Sequence, residues 1–336
     1  MGVVITQENF HLLAQDFLNL LFADLAQKEV RIPAHWDIDH LCYRSASLEN
    51  YNALKIHFSA FADLLIENPV NGRLIATYQL RKPVQFNEWV IDVVELPAPK
   101  ASKPTPEGFE HIEIVCDVPF SSLEKQFGHL NLKLDGLTKE FNQEFEIHLG
   151  ARNIKFHHLS LKSVITLEKS TAAYAALQDS GVLKKFKSYR PVIAGTLPLD
   201  IAIEGSALDI LMSCENADEA QSQLSAAFSK SGNFRATRTT VDNLDTLIVQ
   251  FNHNGVPFKI FVQNRECVQQ AAYLHFLCEE RLLKLKGLTL RDQIRSLRQQ
   301  GLKTDAAFAK ALKIAGDPYE LLLSIQKLTN SELLRL

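Results

Sequence analysis

Apolar positions along the first part of this chain recur at helical spacing and then at strand spacing. Between residues 9 and 26 they return every three or four residues, which predicts an amphipathic helix. Apolar and polar residues then alternate over 38–43, which predicts a half-buried strand. A helical segment, an Asn-Gly turn and two further strands follow, at 48–65, 71–72, 74–80 and 89–95. We interpret this order as one βαβββ unit.

A second unit with the same order follows a proline-rich connector. Four prolines fall between residues 97 and 106, and proline cannot continue a central strand. Beyond the connector, a strand, a helix and two strands are predicted at 109–115, 121–127, 144–149 and 154–159. Because a repeat of this kind is stabilised when its halves pair, we predict one domain at residues 1–168.

The pattern changes after residue 170, where Ser170 or Thr171 is placed to cap a helix running towards Lys187. Strands and one helix are predicted at 191–194, 207–214, 217–230, 246–252 and 257–263, the third range being the helix. From residue 268 to the end the periodicity is helical. We therefore predict an α+β domain at 171–336 with a C-terminal helical cap, and an α+β class for the whole chain.

Composition excludes several classes of protein. With 46% hydrophobic and 22% charged residues and a net charge of −3, the chain has the composition of a globular protein, not of a disordered one. It has neither an apolar run of roughly 20 residues nor a secretory leader, so we expect a cytoplasmic protein without membrane partners. Its five cysteines are widely spaced without a C-x-x-C pair, which predicts reduced, buried thiols.

One short phrase occurs in both units and predicts a metal site. Asp39-His40-Leu41-Cys42 and Glu110-His111-Ile112-Glu113 each contain an acidic residue, a histidine and a strand-like alternation. Side chains two apart on a strand share a face, so both histidines can face one cavity. Another possible ligand lies 55 residues after the first histidine and 46 after the second. The predicted ligands are His40, Glu95, His111 and His157.

This set of ligands favours particular ions and a particular chemistry. Three imidazoles and a carboxylate suit Zn²⁺, Fe²⁺, Mn²⁺ or Ni²⁺ better than Mg²⁺ or Ca²⁺. Four ligands on an octahedral ion leave two adjacent positions, where a substrate with neighbouring oxygens can be polarised. His158 adjoins His157, but the parity shared with Lys155 favours His157.

Three further residues are candidates for catalysis. Glu113, on the same strand face as His111, is a candidate for proton transfer. Arg44 and Arg73 are candidates for binding an anionic group of a substrate. An internal salt bridge is an equal alternative for these arginines. No residues are predicted to bind an organic cofactor.

The first domain resembles a known family. The phrases that carry the resemblance are Asp39-His40 with Arg44, Asn71-Gly72-Arg73, Val94-Glu95-Leu96-Pro97, the run 108–115, and Lys155-Phe156-His157. Residues 5–168 resemble the vicinal-oxygen-chelate (glyoxalase-like) superfamily and, within it, are similar to the YecM family. The resemblance implies paired βαβββ units around a metal cup. It implies either a metal-dependent lyase, isomerase or dioxygenase acting on a small oxygen-bearing molecule, or a non-catalytic ligand-binding or regulatory protein.

The second domain resembles a nucleotidyltransferase that has lost its acids. Ala194-Gly195-Thr196 and the run 205–210 are similar to the start of that fold, which needs alternating carboxylates to hold Mg²⁺. Ala207 stands at the first carboxylate position and Lys259 at the third, so that only Asp209 remains. We expect no nucleotidyl transfer, and a salt bridge between Asp209 and Lys259. Residues 171–330 as a whole resemble an uncharacterised domain-of-unknown-function family.

A basic stretch near the C-terminus is the remaining candidate for binding a partner. Its members are Arg281, Lys284, Lys286, Arg291, Arg295 and Arg298. Acidic residues are interspersed among them and aromatic residues do not alternate with them, so a solvated helix face is preferred to a nucleic-acid site. We expect a small-molecule ligand and no nucleic acid; the sequence predicts no oligomeric state.

Overall fold

The computed structural model describes residues 4–100 and 105–336. The chain divides into two compact units. One comprises residues up to 116 with 120–139 and 143–161, and the other comprises 117–119, 140–142 and 162–336. The division at 161 falls before the predicted end of the first domain at 168. Residues 101–104 of the predicted proline-rich connector lie outside the described residues.

The first unit consists of two βαβββ halves preceded by a helix. Its helices are α1 (Gln7–Gln27), α2 (Leu48–Ser59) and α3 (Phe120–Phe127). Its strands are β1 (Asp37–Arg44), β2 (Ala62–Val70), β3 (Arg73–Phe86), β4 (Trp89–Pro97), β5 (Gly108–Val115), β6 (Asn131–Lys133), β7 (Phe145–His148) and β8 (Asn153–His157). The predicted paired fold is therefore confirmed.

One continuous sheet joins the two halves in the order β2-β3-β4-β1-β5-β8-β7-β6. β1 and β5 run antiparallel at the seam between the halves. Within each half the first strand is parallel to the last, β1 with β4 and β5 with β8. The halves are thus related by a pseudo-twofold at the seam, which brings equivalent positions of β1 and β5 together.

Two strands of this sheet differ from the sequence prediction. The helix predicted over 48–65 ends at Ser59, and the apolar residues beyond it belong to β2. Asn71 and Gly72 have φ values of 49° and 80°, so they form a tight hairpin turn that pairs β2 with β3. β6 was not predicted because three residues are too few to show a periodicity.

Helix α1 packs against the face of the sheet that lies away from His40. Thr6 and Asn9 form a capping box that starts the helix. Phe10 is fully buried, with ring centroids 5.2 Å from Phe109 and 6.4 Å from Tyr43. Tyr43 pairs with Phe109 across the seam, and Tyr43 alternates with Cys42 along β1. The opposite face, which carries His40, is thereby left for the site.

The second unit is an α+β domain whose C-terminal region is helical, as predicted. Its strands are β9 (Val192–Ala194), β10 (Leu208–Ser213), β11 (Gly232–Val241), β12 (Leu244–His253) and β13 (Val256–Gln263). Its helices are α4 (Leu161–Lys169), α5 (Thr171–Ser180), α6 (Val182–Lys185), α7 (Ala217–Phe228), α8 (Ala271–Gln299), α9 (Thr304–Leu312), α10 (Pro318–Ile325) and α11 (Asn330–Arg335). The sheet has the order β11-β12-β13-β10-β9. Within the described ranges, no helix has both the length and the apolarity to cross a membrane.

Two local predictions for this unit need correction. β11 was missed because it is a largely exposed edge strand without a buried apolar face. The helix predicted to run from 171 towards Lys187 is interrupted at Gly181, which has a φ of 61°. A left-handed residue ends an α-helix, so two shorter helices replace the long one.

The basic stretch on α8 is only partly a solvated face. Arg281 is 5% exposed and donates hydrogen bonds to the carbonyls of Gln326 and Leu328. Further along, Arg291 and Arg298 donate to backbone carbonyls of the segment 199–201. A charged side chain can be buried when it is fully hydrogen-bonded in this way. The preference for a solvated face was therefore wrong for Arg281, whereas Arg291 and Arg298 hold a neighbouring segment to α8 from partly exposed positions.

The expected Asp209–Lys259 salt bridge is also absent from the described residues. The two residues pair across β10 and β13, but the Lys259 Nζ lies 4.5 Å from the ring centroid of Phe261. Burial raises the pKa of Asp209 to about 6, against the attraction of Lys259 and Arg298. A carboxylate with this pKa takes up a proton at a less acidic pH than an ordinary aspartate does.

Candidate metal centre

Two β-bulges at the seam between β1 and β5 shape the site. Ile38 pairs with Ile114 and His40 with Glu113, so Asp39 is an extra residue on β1. Cys42 pairs with His111 and Tyr43 with Phe109, so Glu110 is the extra residue on β5. A bulge redirects its side chain away from the regular alternation. Each half thus places an acidic residue beside the following histidine.

The two acids fix the orientation of the two histidines. His40 Nδ1 donates a hydrogen bond to Asp39 Oδ2 over 2.9 Å, and His111 Nδ1 donates to Glu110 Oε2 over 2.9 Å. Because a carboxylate can only accept, the proton lies on Nδ1. The Nε2 atom of each ring is then available to a metal, in the carboxylate–histidine arrangement common at metal sites. The repeated acid-histidine phrase therefore has a structural explanation.

Four imidazole nitrogens are buried here without an aligned hydrogen-bond partner. They are the Nε2 atoms of His40, His111 and His157, whose residues are 1%, 4% and 5% exposed, and the Nδ1 atom of His157. Buried polar atoms in native proteins are nearly always satisfied. Nitrogen atoms in this state fit a bound cation, which is the partner that imidazole lone pairs prefer.

Glu113 lies at the centre of this group. Its Oε2 is 2.6 Å from His157 Nε2 and 3.6 Å from His40 Nε2, and its Oε1 is 3.3 Å from His111 Nε2. Glu95 Oε2 lies 3.7 Å from His40 Nε2. His40, Glu95, His111 and Glu113 each offer a ligand atom within 4.8 Å of the other three. Sequence reasoning identified Glu113 only as a candidate for proton transfer.

Strand register makes Lys155, not His157, the residue of the second half that is equivalent to Glu95. Cys42 pairs with Glu95 on β4, whereas its counterpart Glu113 pairs with Lys155 on β8. His157 lies two residues further along the same face of β8. The prediction that Glu95 and His157 occupy equivalent positions was based on similar sequence intervals, and the register does not support it.

Lys155 fills the equivalent position with a positive charge. Its Nζ donates to Glu113 Oε1 over 3.0 Å and lies 3.9 Å from Glu144. Burial alone would lower the pKa of Lys155, but the charges of Glu113 and Glu144 raise it above the ordinary value. The lysine therefore remains charged and fixes one oxygen of Glu113.

His157 is the member of the His157-His158 pair that faces the cup. Besides its contact with Glu113, its Nε2 lies 4.0 Å from Glu144 Oε2. His158 instead stacks on Phe120 with ring centroids 4.0 Å apart. His157 does not belong to the group of four described above, but to a neighbouring group with Glu113 and Glu144.

The charges in the cup support one another when no metal is bound. Burial would lower the pKa of His40, but Glu113, Asp39 and Glu95 outweigh it and raise that pKa well above its ordinary value. Burial would raise the pKa of Glu113, but Lys155, His157 and His40 hold it well below its ordinary value. The metal-free cup therefore contains protonated imidazole beside ionised carboxylate, and a cation entering it replaces protons.

The predicted anion-binding arginines differ from each other. Arg44 Nη2 lies 2.5 Å from Glu110 Oε2, and Arg44 Nε donates to the same oxygen over 2.6 Å. This contact and that of His111 hold the pKa of Glu110 at about 2, although burial opposes them. Arg44 is thus in an internal salt bridge. Arg73 instead donates to the carbonyl of Ala98 over 3.2 Å.

The residues present fit a divalent transition metal. Two buried imidazole nitrogens and two carboxylates converge, and the imidazoles are oriented by acids behind them. Cys42, Glu110 and His111 form another compact group, but Glu110 already accepts from Arg44 and His111. We therefore take His40, Glu95, His111 and Glu113 as the candidate centre.

Comparison with known proteins gives matches for both units. A family model described as YecM protein matches residues 9–168, and one described as Domain of unknown function (DUF4269) matches 175–325. Protein YecM of Escherichia coli (strain K12) is 31% identical over 150 residues, covering 39% of this chain and 78% of that protein. The YecM match spans the unit that holds the candidate metal centre.

Solved structures similar to the chain include two with different descriptions. One, described as Structural Genomics, Protein EC4020, is 26% identical and covers 50% of this chain and 100% of its own, with a TM-score of 0.41. The other is Cid1, described as having RNA terminal uridylyl transferase activity. It is 16% identical and covers 39% of this chain and 40% of its own, with a TM-score of 0.30.

Proposed function

The chain belongs to the YecM family through its first unit, and from this premise we propose that the unit binds a divalent metal and presents it to a small oxygen-bearing molecule. The observation that carries the proposal is the convergence of the buried Nε2 atoms of His40 and His111 with the carboxylates of Glu95 and Glu113 within 4.8 Å of one another. A bound ion supplies Lewis acidity to a substrate oxygen. The reaction classes that fit are those of a metal-dependent lyase, isomerase or dioxygenase.

We assign His40, Glu95, His111 and Glu113 as the ligands. All four offer atoms within 4.8 Å of one another, and His157 is next to this set through its 2.6 Å contact with Glu113. In this assignment His157 holds Glu113 instead of binding the ion, and Glu113 acts in coordination instead of proton transfer. The ion is Zn²⁺, Fe²⁺, Mn²⁺ or Ni²⁺, because nitrogen and carboxylate ligands suit these ions.

A non-catalytic role is the alternative, and one observation favours it. Both oxygens of Glu113 already contact cationic or imidazole groups, from Lys155, His157 and His111. A carboxylate held in this way is a weak candidate for a general base. The cup would then capture its ligand without converting it, and a bound molecule would be recovered chemically unchanged.

For the second unit we propose that nucleotidyl transfer is absent. Ala207 and Lys259 occupy positions where the reaction needs carboxylates, and Asp209 is the acid that remains. Among the described residues, the groups able to hold a metal all lie in the first unit. ATP with Mg²⁺ is expected to leave the melting temperature of this unit unchanged, whereas a ligand of the native state would raise it. We also propose a cytoplasmic location, supported by five cysteines that are all free.

Metal analysis of matched variants tests the proposal for the first unit. The purified protein is stripped of metal, titrated with Mn²⁺ or Zn²⁺, and compared with His40→Ala, His111→Ala and His129→Ala. His129 is an exposed histidine outside the cup and serves as the control. We expect one ion per chain in the wild type and in His129→Ala, and loss of that ion in the other two variants. Equal metal content in all four proteins would disprove the site.

A further inference from the structure

One end of the cup carries positive charge beyond the metal ligands. Strand register forms a row of side chains on the cup face, with Thr77, Glu95, Cys42 and His111 on β3, β4, β1 and β5. Two residues further along, Ile75 pairs with Pro97 on the same face. Arg73 is the next residue of that face on β3, at about 3.3 Å of rise per residue. The arginine therefore lies on the face that holds the candidate centre, about 13 Å along the strand from Thr77.

Arg73 lacks a counter-ion among the described residues. Its guanidinium contacts the carbonyl of Ala98, and its Nε is buried without a partner. Lys100, two residues after Ala98, is exposed and likewise forms no ion pair within the described part of the chain. The nearby Arg44 is neutralised by Glu110, which also binds His111. Among the described residues, neither Arg73 nor Lys100 is therefore in an ion pair with an acid.

Burial and neighbouring positive charges lower the pKa values of both Arg73 and Lys100. Burial and then the charge of Arg44 lower the pKa of Arg73, and burial followed by Arg73 and Arg44 lowers the pKa of Lys100. Glu95 and Glu110 act on Arg73 in the opposite direction, but do not offset the other effects. An anion placed between the two cations relieves their repulsion and satisfies the orphaned Nε.

We infer that Arg73 and Lys100 form a subsite for an anionic group, a carboxylate or a phosphate, on the molecule whose oxygens face the metal ligands. The position of the subsite relative to a bound metal rests on the proposed function, whereas anion binding itself does not. A guanidinium presents paired donors that match carboxylate and phosphate oxygens. The ligand class is thus an acid or phosphate ester that also carries neighbouring oxygen atoms.

Anion titration of the metal-free protein tests this inference separately from the metal site. Inorganic phosphate and acetate are titrated by calorimetry at constant ionic strength, into wild type, Arg73→Gln, Lys100→Gln and Arg81→Gln. Arg81 lies on the same strand but is paired with Asp63, so it is the matched control. We expect saturable binding of at least one anion, weakened at least about tenfold by Arg73→Gln, less by Lys100→Gln and not by Arg81→Gln.

The outcomes are distinct from those of the metal experiment. His40→Ala, which is expected to lose the metal, should still bind the anion, so that failure of one proposal does not imply failure of the other. Arg73→Lys keeps the charge without the paired donors and should give intermediate affinity. The inference is overturned if neither anion binds the wild type, or if Arg73→Gln and Arg81→Gln bind as the wild type does.

Discussion

The two βαβββ halves of the first unit share a backbone plan but differ in where each places its carboxylate. In the first half, Cys42 on β1 pairs with Glu95 on β4. In the second half, the equivalent pair is Glu113 on β5 and Lys155 on β8. The carboxylate is thus on the last strand of the first half but on the first strand of the second half. In the second half, Lys155 occupies the position equivalent to Glu95. Each half therefore supplies one carboxylate ligand, Glu95 or Glu113, but only the second half adds a lysine beside it.

The difference shows that a pseudo-symmetric fold need not have symmetric ligands. Both halves retain the bulged acid and the histidine that it orients, Asp39 with His40 and Glu110 with His111. These pairs set the direction of the imidazoles and lie at the seam, where the halves meet. The last strands of the two halves, β4 and β8, differ at the equivalent position. There β4 supplies the ligand Glu95, whereas β8 supplies Lys155, which binds Glu113.

Removing Glu113 should have the largest effect on this arrangement. We expect Glu113→Gln to weaken metal binding by at least about 100-fold, because a neutral amide replaces an ionised ligand. His157→Gln should weaken it by about tenfold, the effect of removing a residue that supports a ligand. Calorimetric titration with Mn²⁺ or Zn²⁺ measures both. A larger loss in His157→Gln than in Glu113→Gln would restore His157 as the ligand.

Removing the bulged acids tests whether the halves are equivalent at the seam. Asp39→Asn and Glu110→Gln should each weaken metal binding by about 10-fold to 100-fold, because each orients an imidazole from behind. Similar losses in the two variants are expected from the matching geometry. Competition against a coloured chelator gives both affinities. A loss confined to one variant would show that the halves contribute unequally.

Changing Lys155 should have a smaller effect in the opposite direction. Lys155→Met removes a positive charge 3.0 Å from a Glu113 oxygen, so we expect metal affinity to rise by about tenfold. Lys155→Arg keeps the charge and should stay within a few-fold of the wild type. Both are measured as above. A fall in affinity in Lys155→Met would mean that positioning Glu113 matters more than repelling the ion.

The smallest expected effect is on stability in the absence of metal. His40 and His111 have a pKa raised above the ordinary 6.5 in the folded state. Their contribution to folding is therefore complete below pH 6.5 and is lost as the pH rises through the folded values. We expect the melting temperature of the metal-free protein to fall by a few degrees over this alkaline range. His40→Gln should reduce the slope, and an unchanged slope would contradict the assignment.

The sequence predicts the parts of this site that depend on local pattern. Alternation and the repeated acid-histidine phrase are sufficient to place both histidines on facing strands. They do not reveal that Asp39 and Glu110 are bulged, because a bulge is a property of the pairing between strands. Nor do they identify Lys155 as the equivalent of Glu95. His40 precedes Glu95 by 55 residues, but His111 precedes Lys155 by only 44, because the hairpins of the two halves differ in length. The equivalence of the two positions is visible only in the pairing of the strands.

For the fold as a whole, too, the sequence predicts what depends on local pattern and misses what depends on distant partners. Long, strongly periodic segments such as α1 and β5 are predicted nearly to their ends. The edge strand β11 is missed because its exposed residues show no apolar face. The burial of Arg281 is missed because its partners come from a distant turn of the chain, around Gln326 and Leu328. Partners that are remote in sequence leave no local signal.

A crystal structure of the metal-loaded protein, with anomalous scattering recorded at the absorption edge of the ion, tests the central claim most directly. We predict a single anomalous peak in the first unit, bonded to the Nε2 atoms of His40 and His111 and to oxygens of Glu95 and Glu113. In that structure His157 and Lys155 contact Glu113 and not the ion. A peak bonded to His157 with Glu113 outside the coordination sphere, or no peak in the cup, would contradict the account.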